Sequence, residues 1–188
     1  SFVPAASLLR TIKEEMTDPH MRDARTMADR LMAITPGLSD KVPPKRDMWG
    51  DPQSVSQGLW VTNEKDMVDA EVRRMATESD FVMARPSYNM GDVDLRDITM
   101  VNGKNAYDQY QEWSARPSKN GRSIKETVAR IMQTEAYKRA PDGSVGTRGS
   151  RQWMVAGVMH KYREMGARRM RTDANVRAAL AEKHREVQ

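Results

Sequence analysis

The side chains best suited to acid–base or metal chemistry in this sequence are three histidines, His20, His160 and His184, and they lie far apart along the chain. His160 and Glu164 are one helical turn apart, a spacing that lets a carboxylate orient an imidazole. No second histidine stands at the four-residue spacing of an H-E-x-x-H site, so the pair reads as part of an exposed helix face. The run Gly143 to Gly149, GSVGTRG, is rich enough in glycine to suggest a phosphate cradle. It lacks the G-K-[ST] ending of a P-loop and does not match G-x-G-x-x-G, so it reads as a linker. There is no cysteine, hence no thiolate nucleophile, no disulfide and no cysteine metal site. Aspartate and glutamate are plentiful, but no two stand out as an acid–base couple. No catalytic residue, metal ligand or cofactor is expected.

The elements that would have to position such groups are limited by composition. Phe, Leu, Ile and Val together make up 29 of the 188 residues, below the roughly one-fifth that marks good core-forming capacity. Fifteen methionines partly fill the gap, and their flexible thioethers suit either an ordinary core or adaptable contacts. Weak burial capacity predicts dependence on a partner. A mean hydropathy of −0.77 and the lack of any apolar run near 18 residues exclude a membrane-spanning helix. The opening SFVPAASLL lacks the basic region of a signal peptide, and cytosol or virion interior fits best. Beginning at Ser1, the chain is expected to be a processed product or part of a longer polypeptide.

Hydrophobic periodicity predicts mostly helix. Leu8, Leu9, Ile12 and Met16 form one stripe, and Asp18-Pro19 opens a second helix with Met21, Ala24, Ala28 and Leu31 on one face. Residues 1–35 are read as N-terminal helices. Residues 36–62 form a Pro/Gly-rich arm without sustained period, whose apolar Leu38, Val42, Met48, Trp49, Leu59 and Trp60, with Pro43 and Pro44, either bind a neighbouring surface or pack on the chain's own helices. Residues 63–139 are a helical region. Asn63 is expected to cap a helix carrying Met67, Val68, Val72 and Met75, and strands at Phe81–Met83 and Asp97–Val101 would form a small β-hairpin within about 81–101. Tyr107, Tyr110 and Trp113 belong to a core-facing helix, and Ser123 with Glu126 is a capping box. Residues 140–150 are read as a linker, and two helices, about 151–171 and 173–186, close the chain behind an Asp173 cap.

Charge is uneven. The sequence pI is about 9.6 with 31 basic and 26 acidic residues, but from Ser150 onward basic side chains outnumber acidic ones by about two to one. Arg168, Arg169, Arg171 and Arg177 are the candidate nucleic-acid contacts in this stretch, against the plainer reading of a solvated helix face.

One ordered set of features has a known counterpart. Asp18, Pro19 and Arg22 are followed by Pro36-Gly37-Leu38-Ser39, by Pro43-Pro44 with Arg46-Asp47, and by Trp49-Gly50, and later by VNGKNAYDQYQEW with Tyr107 and Tyr110. In this order they resemble the large polyvalent-protein associated helical segment found toward the C-terminus of very long tailed-phage proteins. The resemblance implies a virion context, in the capsid interior or the portal and tail region, as an internal or ejection protein assembling on portal, tail or sister subunits. It implies no small-molecule substrate, and it places enzymatic activity in other modules.

The expected fold is therefore mainly α, with extended helical segments, a long Pro/Gly-rich arm and one small β-hairpin. The expected function is a phage virion structural component that forms homo-oligomers. The alternative is a DNA-binding module that uses the basic C-terminal helices, and a peptidoglycan-cleaving remnant comes third.

Overall fold

The computed structural model describes Arg25, Asp29, Met32 and residues 42–53, 66–79, 81 and 83–186. The chain divides into two compact units, Ser1–Lys45 with Pro52–Val61 and Arg46–Asp51 with Thr62–Gln188. Of the first unit's expected helices, the described Asp29 and Met32 are helical, and the remainder of both helices lies outside the described residues. Within this unit the Gln53 N–H donates to the Lys45 carbonyl at 2.8 Å.

The second unit is mainly helical, with α1 (Met67–Glu78), α2 (Ala106–Ala115), α3 (Ile124–Met132), α4 (Glu135–Arg139), α5 (Arg151–Met170) and α6 (Ala174–Glu186). Each start is chemically marked. Asp66 caps α1, its Oδ1 accepting from the Val68 and Asp69 N–H groups at 2.9 and 3.1 Å. The cap expected at Asn63 is thus Asp66, three residues further on, whose carboxylate reaches two orphan donors of the first turn. Asn105 caps α2 in the same way. Ser123 and Glu126 form the expected capping box on α3. Asp173 Oδ1 accepts from the Asn175 and Val176 N–H groups at 3.0 and 3.2 Å, as expected for the start of α6.

The hairpin is present but displaced from its expected strands. It consists of β1 (Asn89–Met90) and β2 (Val93–Asp94), antiparallel, with Met90 opposite Val93. Phe81 and Met83 are instead buried pegs of a connecting segment. Asp97 ends a 3-10 turn, and Thr99 bridges Asn105 around the Asn102-Gly103 turn. Short apolar runs of this kind satisfy the hydropathy pattern of a strand while their burial comes from single side chains.

Two hydrophobic clusters form the core of this unit. The first joins Trp49, Val72 and Met75, Val128 of α3 and Val155, Met159 and Tyr162 of α5. The second joins Met90, Leu95, Met100, Tyr107, Tyr110, Met170 and Val176. Helix α5 serves both clusters through one stripe, Val155, Val158, Met159, Tyr162, Gly166 and Met170, the i, i+3/i+4 repeat of a core-facing helix. Six methionines, among them Met75 and Met170 at 0% exposure, are buried. These six methionines are core filling. The supposed linker at 140–150 is also ordered by its own contacts. Ser150 is 0% exposed, caps α5, and donates from Oγ to the Ser144 carbonyl at 3.0 Å.

Candidate functional site

Residues Arg46–Asp51 fold into a turn and dock on α2 and α1. Asp47 organises the turn, with its Oδ1 accepting from the Trp49 and Asp51 N–H groups at 2.8 and 3.0 Å, the local bonding that makes aspartate a turn former. Burial raises the Asp47 pKa, against the lowering influence of those N–H groups. Arg46 grips Asp108 of α2 through Nε and Nη2 at 2.6 and 3.3 Å, and its Nη1 donates to the Gly50 carbonyl at 2.8 Å. Both side chains are almost covered, at 10% and 12% exposure. Such a two-point guanidinium–carboxylate pair fixes orientation as well as charge.

Gly50 carries φ +83°, and a Cβ there would stand 2.3 Å from Ala115 Cβ. Only glycine combines that backbone with that closeness to α2. Trp49 is 4% exposed and its Nε1 donates to Asp69 of α1 at 2.7 Å. Lys125 from α3 completes the arrangement, with Nζ 2.9 Å from Asp69 Oδ2 and 3.1 Å from Asp66 Oδ2, and with its charge 5.5 Å above the Trp49 ring. Burial works against the Lys125 charge, but Asp69 and Asp66 outweigh it and hold the pKa above its ordinary value.

This geometry settles part of the arm. Of the two readings of Trp49, a contact for a neighbouring surface or packing on the chain's own helices, the second holds, since it is buried in the chain's own core, and Met48 packs half-buried against the same cluster. Val42 is 1% exposed, while Pro43 and Pro44 are half-buried. Leu38, Leu59 and Trp60 lie outside the described residues.

The second polar arrangement joins α1, α4 and Asp142 in the segment before α5. Arg74 pairs with Glu71, Glu78 and Asp142 at 2.8, 2.7 and 2.8 Å, and the Tyr137 hydroxyl donates to Glu71 Oε1 at 2.9 Å. Hydrogen bonding from Arg74 holds the Glu71 carboxyl below its ordinary range, and burial pushes the Tyr137 phenol up. Every member is engaged with another, so the network holds elements together and leaves no poised nucleophile. Among the described residues no group of three or more His, Cys, Asp or Glu could hold a metal ion. His160 and Glu164 are exposed on α5, as the spacing suggested.

The basic residues occupy the opposite extreme of exposure. Arg168 is 71% exposed in its side chain and pairs with Glu164 at 2.6 Å. Arg169 lies 4.2 Å over the Trp113 ring and donates to the Pro117 carbonyl at 2.7 Å. Arg171 and Arg177 are exposed. The Arg169 contact brings the 116–122 loop beside the end of α5, which adds the exposed Arg116, Lys119 and Arg122 to the same end of the unit. Sequence reading missed these three because they lie about fifty positions earlier. The run R-P-S-K-N-G-R, with three cations and no acid, was the available signal. Glu126 pairs with Arg116 at 3.2 Å, so this end carries a mixed but net positive charge. Tyr107 and Tyr110 are buried and Trp113 is covered by Arg169, which bears out the core-facing reading of the aromatic helix.

No protein-family model, no curated protein and no solved structure matches the chain.

Proposed function

We propose that this chain is a non-enzymatic structural module of a tailed-phage particle, an internal or ejection component that assembles on portal, tail or sister subunits. The observation that carries the reading is where the motif residues go. Arg46, Asp47, Trp49 and Gly50, together with Tyr107 and Tyr110, are the residues that lock the turn onto α1 and α2 or fill the core around them. A motif devoted to fixing shape belongs to a scaffold; a catalytic motif would leave reactive atoms facing a cleft. Light scattering on the purified chain, with co-sedimentation against portal and tail proteins, tests it. Oligomers or particle-protein complexes are the expected result, and a cooperatively folding monomer with no affinity for these proteins overturns the reading.

A second reading is favoured by the basic end. Arg168, Arg169 and Arg171, joined by Arg116, Lys119 and Arg122, offer phosphate contacts without any aromatic platform or groove-reading element. DNA binding of this kind would be sequence-independent and steeply salt-dependent. Absent or salt-independent affinity for duplex DNA removes it.

A further inference from the structure

Two Asn-Gly dipeptides stand in the second unit, Asn102-Gly103 and Asn120-Gly121. In such a pair the glycine carries no Cβ to obstruct the approach of its amide nitrogen to the asparagine Cγ. Both occupy turns of the same form, with the Gly103 N–H donating to the Met100 carbonyl at 2.9 Å and the Gly121 N–H to the Ser118 carbonyl at 3.0 Å. The backbone hydrogen bonds therefore do not tell the two apart.

Their side chains do. Asn102 is tied at both ends of its carboxamide, since Oδ1 accepts from the Lys104 N–H at 3.0 Å and Nδ2 donates to Gln109 Oε1 at 3.4 Å. Asn120 is exposed in the 116–122 loop, and no hydrogen bond among the described residues holds its carboxamide. The loop is anchored on either side of it, by Arg169 Nη1 donating to the Pro117 carbonyl at 2.7 Å and by Arg116 Nη1 donating to the Gly121 carbonyl. Between these surface anchors the Gly121 to Ser118 bond is a single turn bond, of the kind that opens locally without global unfolding. Lys119 and Arg122 flank the pair in sequence, and Arg116 reaches it through Gly121. Glu126, the acid beside the loop, is engaged by Arg116 at 3.2 Å and by the Ser123 N–H at 2.6 Å. Positive charge around an amide favours the anionic nitrogen, and the oxyanion that forms when it attacks.

We propose that Asn120 is a self-modification site, at which attack by the Gly121 amide nitrogen converts the carboxamide to aspartate and isoaspartate. The Gly121 nitrogen gives its proton to solvent and forms a bond to Asn120 Cγ. The Cγ–Nδ2 bond breaks, Nδ2 leaves as ammonia with protons from water, and a cyclic imide remains. Water then opens the imide. Addition at Cγ breaks the new bond and leaves aspartate, whereas addition at the main-chain carbonyl leaves isoaspartate, with the chain continuing through Cγ. Water is consumed and ammonia released, with no other reactant. The product carries a carboxylate between Lys119 and Arg122, which lowers the net positive charge of the basic end. Any consequence for DNA binding rests on the second reading above, whereas the chemistry stands on the loop alone.

The test is incubation of the full chain at neutral pH in heavy-oxygen water, followed by mass mapping after cleavage at glutamate. This separates Asn120, in the 113–126 peptide, from Asn102, in the 79–112 peptide. Asn120 is expected to gain a labelled carboxylate about tenfold faster than Asn102, whose two carboxamide bonds must first break. Aged protein should elute from a cation exchanger with fresh Asn120→Asp, and its isoaspartate should accept a methyl group from an isoaspartyl methyltransferase. Asn120→Gln keeps the amide on a longer arm, and should lose the early charge variant. No labelled carboxylate at Asn120, a rate no higher than that at Asn102, or a charge variant that persists in Asn120→Gln overturns the proposal. DNA enters none of these readouts, so an absent DNA affinity removes the second reading and leaves the modification standing.

Discussion

Arg46 and Arg168 are the same side chain used in opposite ways. Arg46 is nearly covered and grips Asp108 at two points, whereas Arg168 is largely exposed and meets Glu164 across one turn of α5. The buried pair occupies a region of low effective dielectric, where losing one member strands a charge. The exposed pair is screened by water and salt and contributes between nothing and about 1 kcal/mol. The fold therefore depends on the clasp, and any interaction with a polyanion depends on the basic end.

The largest effect should come from breaking the clasp on one side. Arg46→Ala leaves Asp108 buried without its partner and should destabilise the second unit by about 3–5 kcal/mol, read from denaturant midpoints. Replacing both members with apolar residues, Arg46→Met with Asp108→Leu, should restore much of that loss, because no charge is then stranded. If the double variant is as unstable as the single, the contribution of the pair is geometric and the contrast with Arg168 weakens. Gly50→Ala comes next. It combines an unfavourable positive φ with a Cβ placed 2.3 Å from Ala115 Cβ, and should cost about 2–4 kcal/mol. Ala115→Gly in the same chain should recover the steric part and leave the backbone part.

The polar network on α1 gives a smaller, pH-dependent effect. The folded-state pKa of Glu71 is depressed from 4.5, first by Arg74, so below that value the unfolded chain binds more protons than the folded one. Its contribution is complete above pH 4.5 and is lost as the pH falls through the lower folded value, with a slope approaching 1.4 kcal/mol per pH unit. Asp142 and Asp66 are shifted in the same direction, while the raised Asp47 opposes them. Urea midpoints measured between pH 6 and pH 3 should therefore fall, and the fall should be shallower in Glu71→Gln. An equal slope in both proteins would remove Glu71 from this account.

Local signals were legible in the sequence where one short stretch determines the outcome. The Ser123–Glu126 box, the Asp173 cap, the Asn102-Gly103 turn and the buried face of α3 each depend on neighbours within a few positions. The mainly helical fold follows from hydrophobic periodicity. Features made by distant residues were not legible. Arg46 and Asp108 are 62 positions apart, and nothing local distinguishes their pairing from a solvated charge. Trp49 looked equally suited to a partner or to the core, and the decision rests on Asp69 and Lys125, which come from two other helices. The strands were misplaced because Phe81 and Met83 have the hydropathy of a strand without a ladder to join.

The smallest expected change in stability belongs to the basic end, and it sharpens the contrast from the other side. Arg168→Ala, Arg171→Ala and Arg177→Ala together remove three exposed charges and should shift the denaturant midpoint by no more than about 0.5 kcal/mol, the ordinary scale for surface substitutions. Arg169 is left intact because its side chain covers Trp113 and holds the 116–122 loop. If this end contacts DNA, the slope of log K against log salt should lessen by about 0.9 for each arginine that neutralises a phosphate, or by up to about 2.7 for three. Affinity at low salt should fall by the same mechanism, equally for duplexes of any sequence, because phosphate contacts carry no base information. An unchanged slope in a folded triple variant would show that these arginines only solvate α5 and α6, and a large loss of stability would place them on the structural side of the divide with Arg46.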